Sequence, residues 1–294
     1  MEVIDVLKEG FKKWLTTLGY AKSTVYASTN YVRDFFFYLK ENEINRIELI
    51  NFETISNYHK YLQTRKSKTK LGSLSNNYII SNINALKRFS KYLNETGKAN
   101  IEIKTELQTE KANTKTILTQ SEIKTLYKAC DNTILGIRDR AILAVFYGCG
   151  LRRSEGINLN LSDVLLKEKL IHVKNGKGYK ERYVPMTEAI KEDLENYIYV
   201  AREQIISLKS RNLPNSQALF LSMRTNRLCQ NALLLRIHKL IESAKIEKAI
   251  GVHSLRHSIA THLLQSGLTL EEVSQFLGHS SLESTQIYTH VSET

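Results

Sequence analysis

Apolar residues recur every three to four positions along most of this chain of 294 residues, which is the spacing of helices that bury one face. This period is lost over residues 98–116, where Lys, Glu, Thr and Asn dominate, and it changes over residues 161–186. The second break contains two β-rich stretches around Asn175-Gly176, a strong hairpin signal. We therefore predict a mainly α protein with one small antiparallel β-sheet, and we expect Ser23 to cap the second helix.

The polar break predicts two domains. Four helical stripes precede it, and a Thr-x-x-Glu capping box formed by Thr119 and Glu122 begins the helices that follow. We expect a helical domain over residues 1–98, a linker over 99–117 and a second domain over 118–294. A chain of this length also suits two cores better than one.

The charge of the chain favours a polyanionic partner. Lys and Arg total 42 against 30 Asp and Glu, a net charge of +12, which indicates nucleic acid or, less often, an acidic membrane surface. No apolar run reaches the roughly 18 residues of a spanning helix, and the first residues lack a basic signal-peptide region. The three cysteines are far apart, so we expect reduced thiols in a cytoplasmic protein, without a disulfide framework or a zinc site.

Cationic and imidazole side chains gather in the second half where predicted helices begin. Arg152 follows a predicted buried helix, and Arg153 and Glu155 lie beside it. His253 and Arg256 are three positions apart at the start of a later helix, so they share one face. Each of these residues alone has an ordinary explanation, such as a solvated arginine at a helix end.

Three further residues extend the set. Lys177 lies in a glycine-flanked hairpin, His279 follows Gly278 at a helix end, and Tyr288 lies in the last predicted helix. Two guanidiniums, an amine, two imidazoles and a phenol, without a convergent carboxylate cluster, suit a phosphodiester whose charge grows in the transition state. We therefore predict transesterification with a tyrosine nucleophile, no metal and no cofactor.

The same residues carry a family resemblance. The motifs are Gly150-Leu-Arg152-Arg-Ser-Glu155, Gly176-Lys177-Gly178, His253-Ser-Leu-Arg256-His257, Leu277-Gly278-His279 and Gln286-Ile-Tyr288-Thr-His290. Together they resemble the tyrosine recombinases, or phage-type integrases, and are closest to the bacterial Xer-type members. The similarity covers about residues 118–290, which it identifies as a tyrosine recombinase catalytic domain. The first hundred residues resemble the family's helical, SAM-like core-binding domain only in length, helix count and charge.

The resemblance implies roles for individual residues. Tyr288 would attack the scissile phosphate and form a 3′-phosphotyrosyl link, which releases a 5′-hydroxyl. Arg152 and Arg256 would bind the non-bridging oxygens, and Lys177 would protonate the leaving oxygen.

His253 and His279 would hydrogen-bond the same phosphate, and Glu155 would orient the catalytic groups. The resemblance also implies a site-specific recombinase that acts on double-stranded DNA with paired half-sites. A partner strand would attack the phosphotyrosine, so neither ATP nor metal is needed. Two such rounds would pass through a Holliday junction in a homotetramer on two sites, in integration, excision or resolution of a bacterial chromosome or mobile element. We expect a monomer in solution, with weak protomer contacts because six residues follow Tyr288.

Both halves of the chain are basic, with net charges of +5 over residues 1–110 and +7 over the remainder, as expected if both grip one duplex. The candidate phosphate contacts are Arg65, Lys66, Lys68, Lys70, Lys87, Arg88 and Arg153. Solvated basic loops are the ordinary alternative for these residues.

Two other functions use the same pattern. A DNA-binding regulator could keep the fold without catalysis, although all six catalytic positions hold suitable residues. A type IB topoisomerase-like relaxer shares the arginine, lysine and tyrosine chemistry. The His253-x-x-Arg256 and Leu-Gly-His279 motifs favour a recombinase over it.

Overall fold

The chain forms two compact units, Met1–Ala112 and Asn113–Thr294. The computed structural model describes residues 2–66, 72–101, 103, 116–174, 181–208 and 217–278, with residues 2 and 3 as backbone alone. Of the predicted linker, residues 102 and 104–115 lie outside this set, so the predicted domain limits stay predictions. Within the described residues, no helix is both long and apolar enough to cross a bilayer.

The first unit is a bundle of helices around an aromatic core. Its helices are α1 (Glu2–Thr17), α2 (Lys22–Glu41), α3 (Phe52–Thr64) and α4 (Asn76–Glu95). Phe11, Phe35, Tyr58 and Phe89 are almost fully buried, and the rings of Phe11 and Phe89 meet edge to face at 5.3 Å. Aromatic pairs of this geometry add to the free energy gained by burying the rings.

The expected cap of α2 was wrong. The helix begins at Lys22, and Ala21 precedes it without a side-chain cap. The Val25 amide donates to the Ala21 carbonyl at 3.0 Å, so the hydrogen bonds of the helix begin two residues before Ser23. Side-chain caps do begin the next two helices, where Asn51 accepts from the Thr54 amide and Ser75 from the Tyr78 amide.

The chain after α4 folds back on that helix. Ile101 is buried in the core of the first unit. Its amide donates to the Asn94 Oδ1 at 2.9 Å, and its carbonyl accepts from the side chains of Ser90 and Asn94. The first residues of the predicted linker are therefore packed and hydrogen-bonded.

The second unit is helical with a small sheet. Its helices are α5 (Gln120–Lys128), α6 (Ile134–Leu143), α7 (Arg153–Asn158), α8 (Glu188–Asn196), α9 (Arg202–Ser207), α10 (Gln230–Ser243), α11 (Val252–Gln265) and α12 (Leu270–Leu277). A π-helical turn, Ala144–Gly148, continues α6, and another, Tyr197–Ala201, joins α8 to α9. The predicted Thr119–Glu122 capping box begins α5 as expected.

The sheet is antiparallel, with strands in the order β1 (Val164–Leu165), β2 (Leu170–Val173) and β3 (Arg182–Pro185). Ile171 pairs with Val184, and both side chains are fully buried. Because side chains alternate along a strand, Arg182 lies on the same inward face of β3 as Val184. The predicted mainly α fold with a small antiparallel sheet is confirmed, while the hairpin residues 175–180 lie outside the described set.

Close packing fixes α7 against the preceding π-helical turn. A Cβ atom at Gly156 would lie 2.5 Å from the Phe146 ring, so only glycine allows this approach. Phe146 is itself fully buried. The start of α7, where Arg152 and Glu155 lie, is thereby held on the core of the second unit.

Candidate active site

A sharp turn places Arg152 at the beginning of α7. Gly150 has a φ of +60°, a conformation that glycine adopts without steric cost, and it reverses the chain after the π-helical turn. The Arg152 amide then donates to the Glu155 Oε2 at 2.9 Å, as in the first turn of a capped helix. The Arg152 guanidinium donates to the Glu155 Oε1 at 2.8 Å and to the Gly278 carbonyl at 2.9 Å.

Arg256 lies on α11 and reaches the same place from the other side. Its side chain is buried, and its guanidinium donates to the carbonyls of Gly150 and of Leu277, the latter at 2.7 Å. Leu277 and Gly278 are consecutive residues at the carboxyl end of α12. The two arginines are therefore brought together by adjacent carbonyls, and two positive charges share one small region.

A buried carboxylate balances this charge. The Glu155 side chain is 1% exposed and accepts hydrogen bonds from Arg152 and from both terminal nitrogens of Arg182, at 3.0 and 2.8 Å. Burial alone would raise the pKa of Glu155, but the bonds and charge of Arg182, together with those of Arg152, lower it to about 2. Glu155 is therefore ionised at neutral pH and fixes two guanidiniums.

His253 lies in the first turn of α11, one turn before Arg256, with its side chain exposed. The predicted sharing of one helix by these two residues is thus observed. Lys177, His279 and Tyr288 lie outside the described residues. Their predicted roles, like those of Arg152, His253, Arg256 and Glu155, stay predictions.

Comparison with known proteins decides the family. The profile of the Phage integrase family matches residues 116–294. The chain belongs to the phage integrase family. It is a tyrosine recombinase of the Xer type, an enzyme of site-specific recombination. The two alternatives, a DNA-binding regulator without catalysis and a type IB topoisomerase-like relaxer, are not favoured.

Individual relatives of this recombinase span most of its length. A tyrosine recombinase XerC of Natranaerobius thermophilus is 32% identical over 271 residues, which cover 91% of this chain and 89% of the relative. A tyrosine recombinase XerD of Oceanobacillus iheyensis is 41% identical over 177 residues, 60% of this chain and 58% of the relative. The crystal structure of the XerH site-specific recombinase bound to palindromic difH substrate matches with a TM-score of 0.75 at 20% identity, over 98% of this chain and 92% of that chain. This last likeness concerns the fold.

Of the three lysines at positions 174, 177 and 180, the structure describes Lys174 alone. Lys174 contacts the buried Asp163 at 2.6 Å, and this contact raises the pKa of the lysine. An amine held in this way is a poor competitor for the general-acid role predicted for Lys177. Lys180 lies outside the described residues.

The predicted phosphate contacts occupy different environments in the described residues. Lys66 and Lys87 are exposed, whereas Arg65 is half-buried, 3.7 Å from the Asp34 carboxylate. Arg88 lies over the Tyr20 ring at 5.8 Å. Arg153, the first residue of α7, is half-buried. Lys68 and Lys70 lie outside the described set, and a role in DNA binding stays a prediction for all seven.

Arg88 also lines a polar hollow between α2 and α4. Its other lining residues are Ser23, Thr24, Ala27, Ser28, Tyr31, Ser81 and Asn84. Hydroxyl, amide and guanidinium groups of this kind are typical of surfaces that bind phosphate and sugar. The hollow is therefore consistent with the prediction for Arg88.

Sequence reasoning missed Arg182. The stretch around it indicated only a strand, because its partner Glu155 is 27 positions away. One signal was available: Arg182 alternates with the apolar Val184 and so occupies an inward position of the strand. An arginine on a buried face needs a carboxylate partner, and Glu155 was already expected to orient the catalytic groups. Across the described residues, no three His, Cys, Asp or Glu side chains converge as a metal site would require.

Proposed function

We propose that this recombinase cuts and rejoins double-stranded DNA through a covalent 3′-phosphotyrosyl intermediate at Tyr288. The observation that carries the proposal is the joint anchoring of Arg152 and Arg256 by the carbonyls of Gly278 and Leu277. His279 follows these carbonyls directly in the sequence. Two fixed guanidiniums can bind the non-bridging oxygens of one phosphate, and their charge stabilises the pentacoordinate transition state.

In the proposed first step, the Tyr288 oxygen forms a bond to phosphorus while the bond to the 5′-oxygen breaks. Lys177 gives its proton to that leaving oxygen, and the Tyr288 proton passes to His253 or to water. His279 hydrogen-bonds the phosphate. In the second step the 5′-hydroxyl of a partner strand attacks phosphorus and gives its proton to Lys177. The bond from phosphorus to the Tyr288 oxygen breaks, and that oxygen takes back a proton from His253 or water. The number of phosphodiester bonds is unchanged, so the reaction needs no ATP.

DNA as the partner is supported by the fold and by the charge of the chain. The XerH neighbours are bound to difH substrate, and the Tn1549 transposon integrase neighbour is in complex with a circular intermediate DNA. Both halves of this chain carry excess positive charge. We propose that four protomers assemble on two sites, and that the reaction serves integration, excision or resolution of a bacterial chromosome or mobile element. Such an enzyme acts in the cytoplasm, at the nucleoid.

The test is covalent capture on a nicked suicide site, which loses a short fragment after cleavage and so traps the intermediate. The site is first obtained by selecting bound DNA from a random pool. Wild type should give a covalent band that Tyr288→Phe abolishes, while DNA affinity stays nearly the same because electrostatic contacts dominate it. Tyr183→Phe is the matched control, since Tyr183 is an exposed tyrosine on β3.

Arg256→Ala should slow capture by at least 100-fold, because it removes a fixed charge from the transition state. EDTA should leave the rate unchanged. A covalent band from Tyr288→Phe would assign the nucleophile to another tyrosine. Full activity of Arg256→Ala, or a strict need for divalent metal, would contradict the guanidinium mechanism.

A further inference from the structure

Arg182 connects three parts of the second unit. Its terminal nitrogens bond to both Glu155 oxygens, at 3.0 and 2.8 Å, in the parallel geometry that makes arginine–carboxylate pairs specific. Glu155 in turn holds the Arg152 guanidinium and its main-chain amide. The position of Arg152 therefore depends on a carboxylate that Arg182 helps to fix.

The second connection is to the end of α12. A Cβ atom at Gly278 would lie 2.6 Å from the Cδ and Nε atoms of Arg182, so the arginine stem packs directly on this backbone. Gly278 has a φ of +63°, and its carbonyl accepts a hydrogen bond from the Arg152 guanidinium. Among the described residues the Arg182 Nε finds no hydrogen-bond partner, so the two bonds to Glu155 and this packing hold the side chain.

The third connection runs through the strand itself. Arg182 is the first residue of β3 and pairs with Val173, the last residue of β2. The two residues close the base of the segment that contains Lys177. Arg182 is thus joined by backbone to the Lys177 segment, by its guanidinium to Glu155, and by packing to the residue before His279.

We propose that Arg182 is a positioning residue for DNA cleavage, which holds the Arg152 turn in place against the start of β3 and the carboxyl end of α12. The inference rests on the proposed function, because it concerns the same reacting phosphate. Arg182 acts through Glu155 and Gly278 and need not touch DNA. A small displacement of catalytic groups is enough to slow a reaction about 100-fold.

The test compares Arg182→Gln with wild type in single-turnover cleavage of the suicide site, with DNA affinity measured separately. We expect cleavage to fall about 10- to 100-fold while the dissociation constant changes less than about two-fold. Arg227→Gln is the matched control, because Arg227 is also half-buried and bonds to the carbonyls of Ile157 and Leu159 at the other end of α7. Folded Arg227→Gln should cleave at close to the wild-type rate.

The cleavage rate of a double variant distinguishes a positioning role from general destabilisation. If Arg182 acts through Glu155, then Arg182→Gln in a Glu155→Gln background should cost much less than it does alone. Arg182→Lys keeps the charge but cannot bridge both oxygens in one plane, so it should restore only part of the rate. If thermal melting shows that Arg182→Gln is unfolded at the assay temperature, Arg182→Lys takes its place in the comparison.

The outcomes separate the two proposals. Absence of a covalent band with wild type would overturn the proposed function. A wild-type band together with wild-type rates for folded Arg182→Gln or Arg182→Lys would overturn only the role of Arg182. Equal losses of rate in the Arg182 and Arg227 variants would also overturn it, since both would then reflect stability alone.

Discussion

Replacing Glu155 by glutamine removes one charge from a buried group that holds two arginines, with little change in size. The pKa of Glu155 is about 2 in the folded protein, against an ordinary value of 4.5. Each unit of this difference corresponds to about 1.4 kcal/mol, so the ionised carboxylate stabilises the fold by about 3 kcal/mol at neutral pH. The glutamine carbonyl can still accept hydrogen bonds from Arg152 or Arg182, but the NH2 group cannot accept any, and both positive charges lose their compensation.

The pH dependence follows from the direction of the shift. A carboxylate whose folded pKa is lowered contributes its full stabilisation above its unfolded pKa and loses it as pH falls toward the folded value. The difference between wild type and Glu155→Gln should therefore be constant above about pH 5. It should then shrink by about 1.4 kcal/mol per pH unit below about 4.5 and vanish near pH 2.

The assay is urea unfolding of the full chain, followed by far-UV circular dichroism between pH 7 and pH 3. Trp14, the one tryptophan of the sequence, lies in the first unit, so its fluorescence should report a transition that the substitution leaves unchanged. Glu188→Gln is the matched control. The pKa of Glu188 is also about 2, owing to Lys169 and Lys191, but its side chain is half exposed, so salt and solvent screen the pair and the loss should be far smaller.

Two results would refute this reasoning. An equal loss of stability from Glu155→Gln at pH 7 and pH 3 would mean that shape, and not charge, is what the site requires. A loss no larger than that of Glu188→Gln would mean that burial adds nothing to the ion pairs of Glu155.

Three other predictions concern different parts of the recombinase. Lys177→Ala should cleave a site with a 5′-bridging phosphorothiolate at nearly the wild-type rate, since sulfur leaves without a proton. Lys174→Ala should cleave ordinary DNA at nearly the wild-type rate. If the phosphorothiolate rescued Lys174→Ala and not Lys177→Ala, Lys174 would be the general acid. Burial, only partly offset by Arg140, raises the pKa of Asp193 to about 6, so ionisation of this one carboxyl destabilises the fold as pH rises from about 4 to 6. Asp193→Asn should therefore raise the melting temperature at pH 7.5 but not at pH 4, and an equal change at both would contradict this. Light scattering at micromolar protein should give a monomer without DNA and two protomers on a two-armed site; a stable oligomer without DNA would contradict the assembly proposed.

The sequence is most informative where structure is local. The capping box of Thr119 and Glu122 and the pairing of β2 with β3 are confirmed because neighbouring residues determine them. The placement of His253 and Arg256 on one helix is confirmed for the same reason. Side-chain spacing within one turn or one strand depends on backbone geometry, which short motifs specify.

Structure that depends on distant contacts was not predictable in this way. The π-helical turn Ala144–Gly148 has no apolar period that sets it apart from an α-helix, and the packing of Ile101 on α4 depends on Asn94 and a core formed by four helices. The joint anchoring of Arg152 and Arg256 by α12 needed the tertiary fold, because it links three segments more than 20 residues apart. The motifs therefore identified Arg152 and Arg256 but not the main-chain carbonyls to which they bind.

The carboxyl end of α12 and a bound phosphate would draw on the same two guanidiniums. Whenever phosphate oxygens take up hydrogen bonds of Arg152 and Arg256, the carbonyls of Gly278 and Leu277 share their donors, and the helix end is held less tightly. Thermodynamic reciprocity then requires that a force or a ligand that shifts α12 changes the affinity for phosphate by the same free energy. Under the proposed function, a ligand that shifts α12 would in this way change how readily the enzyme engages its substrate.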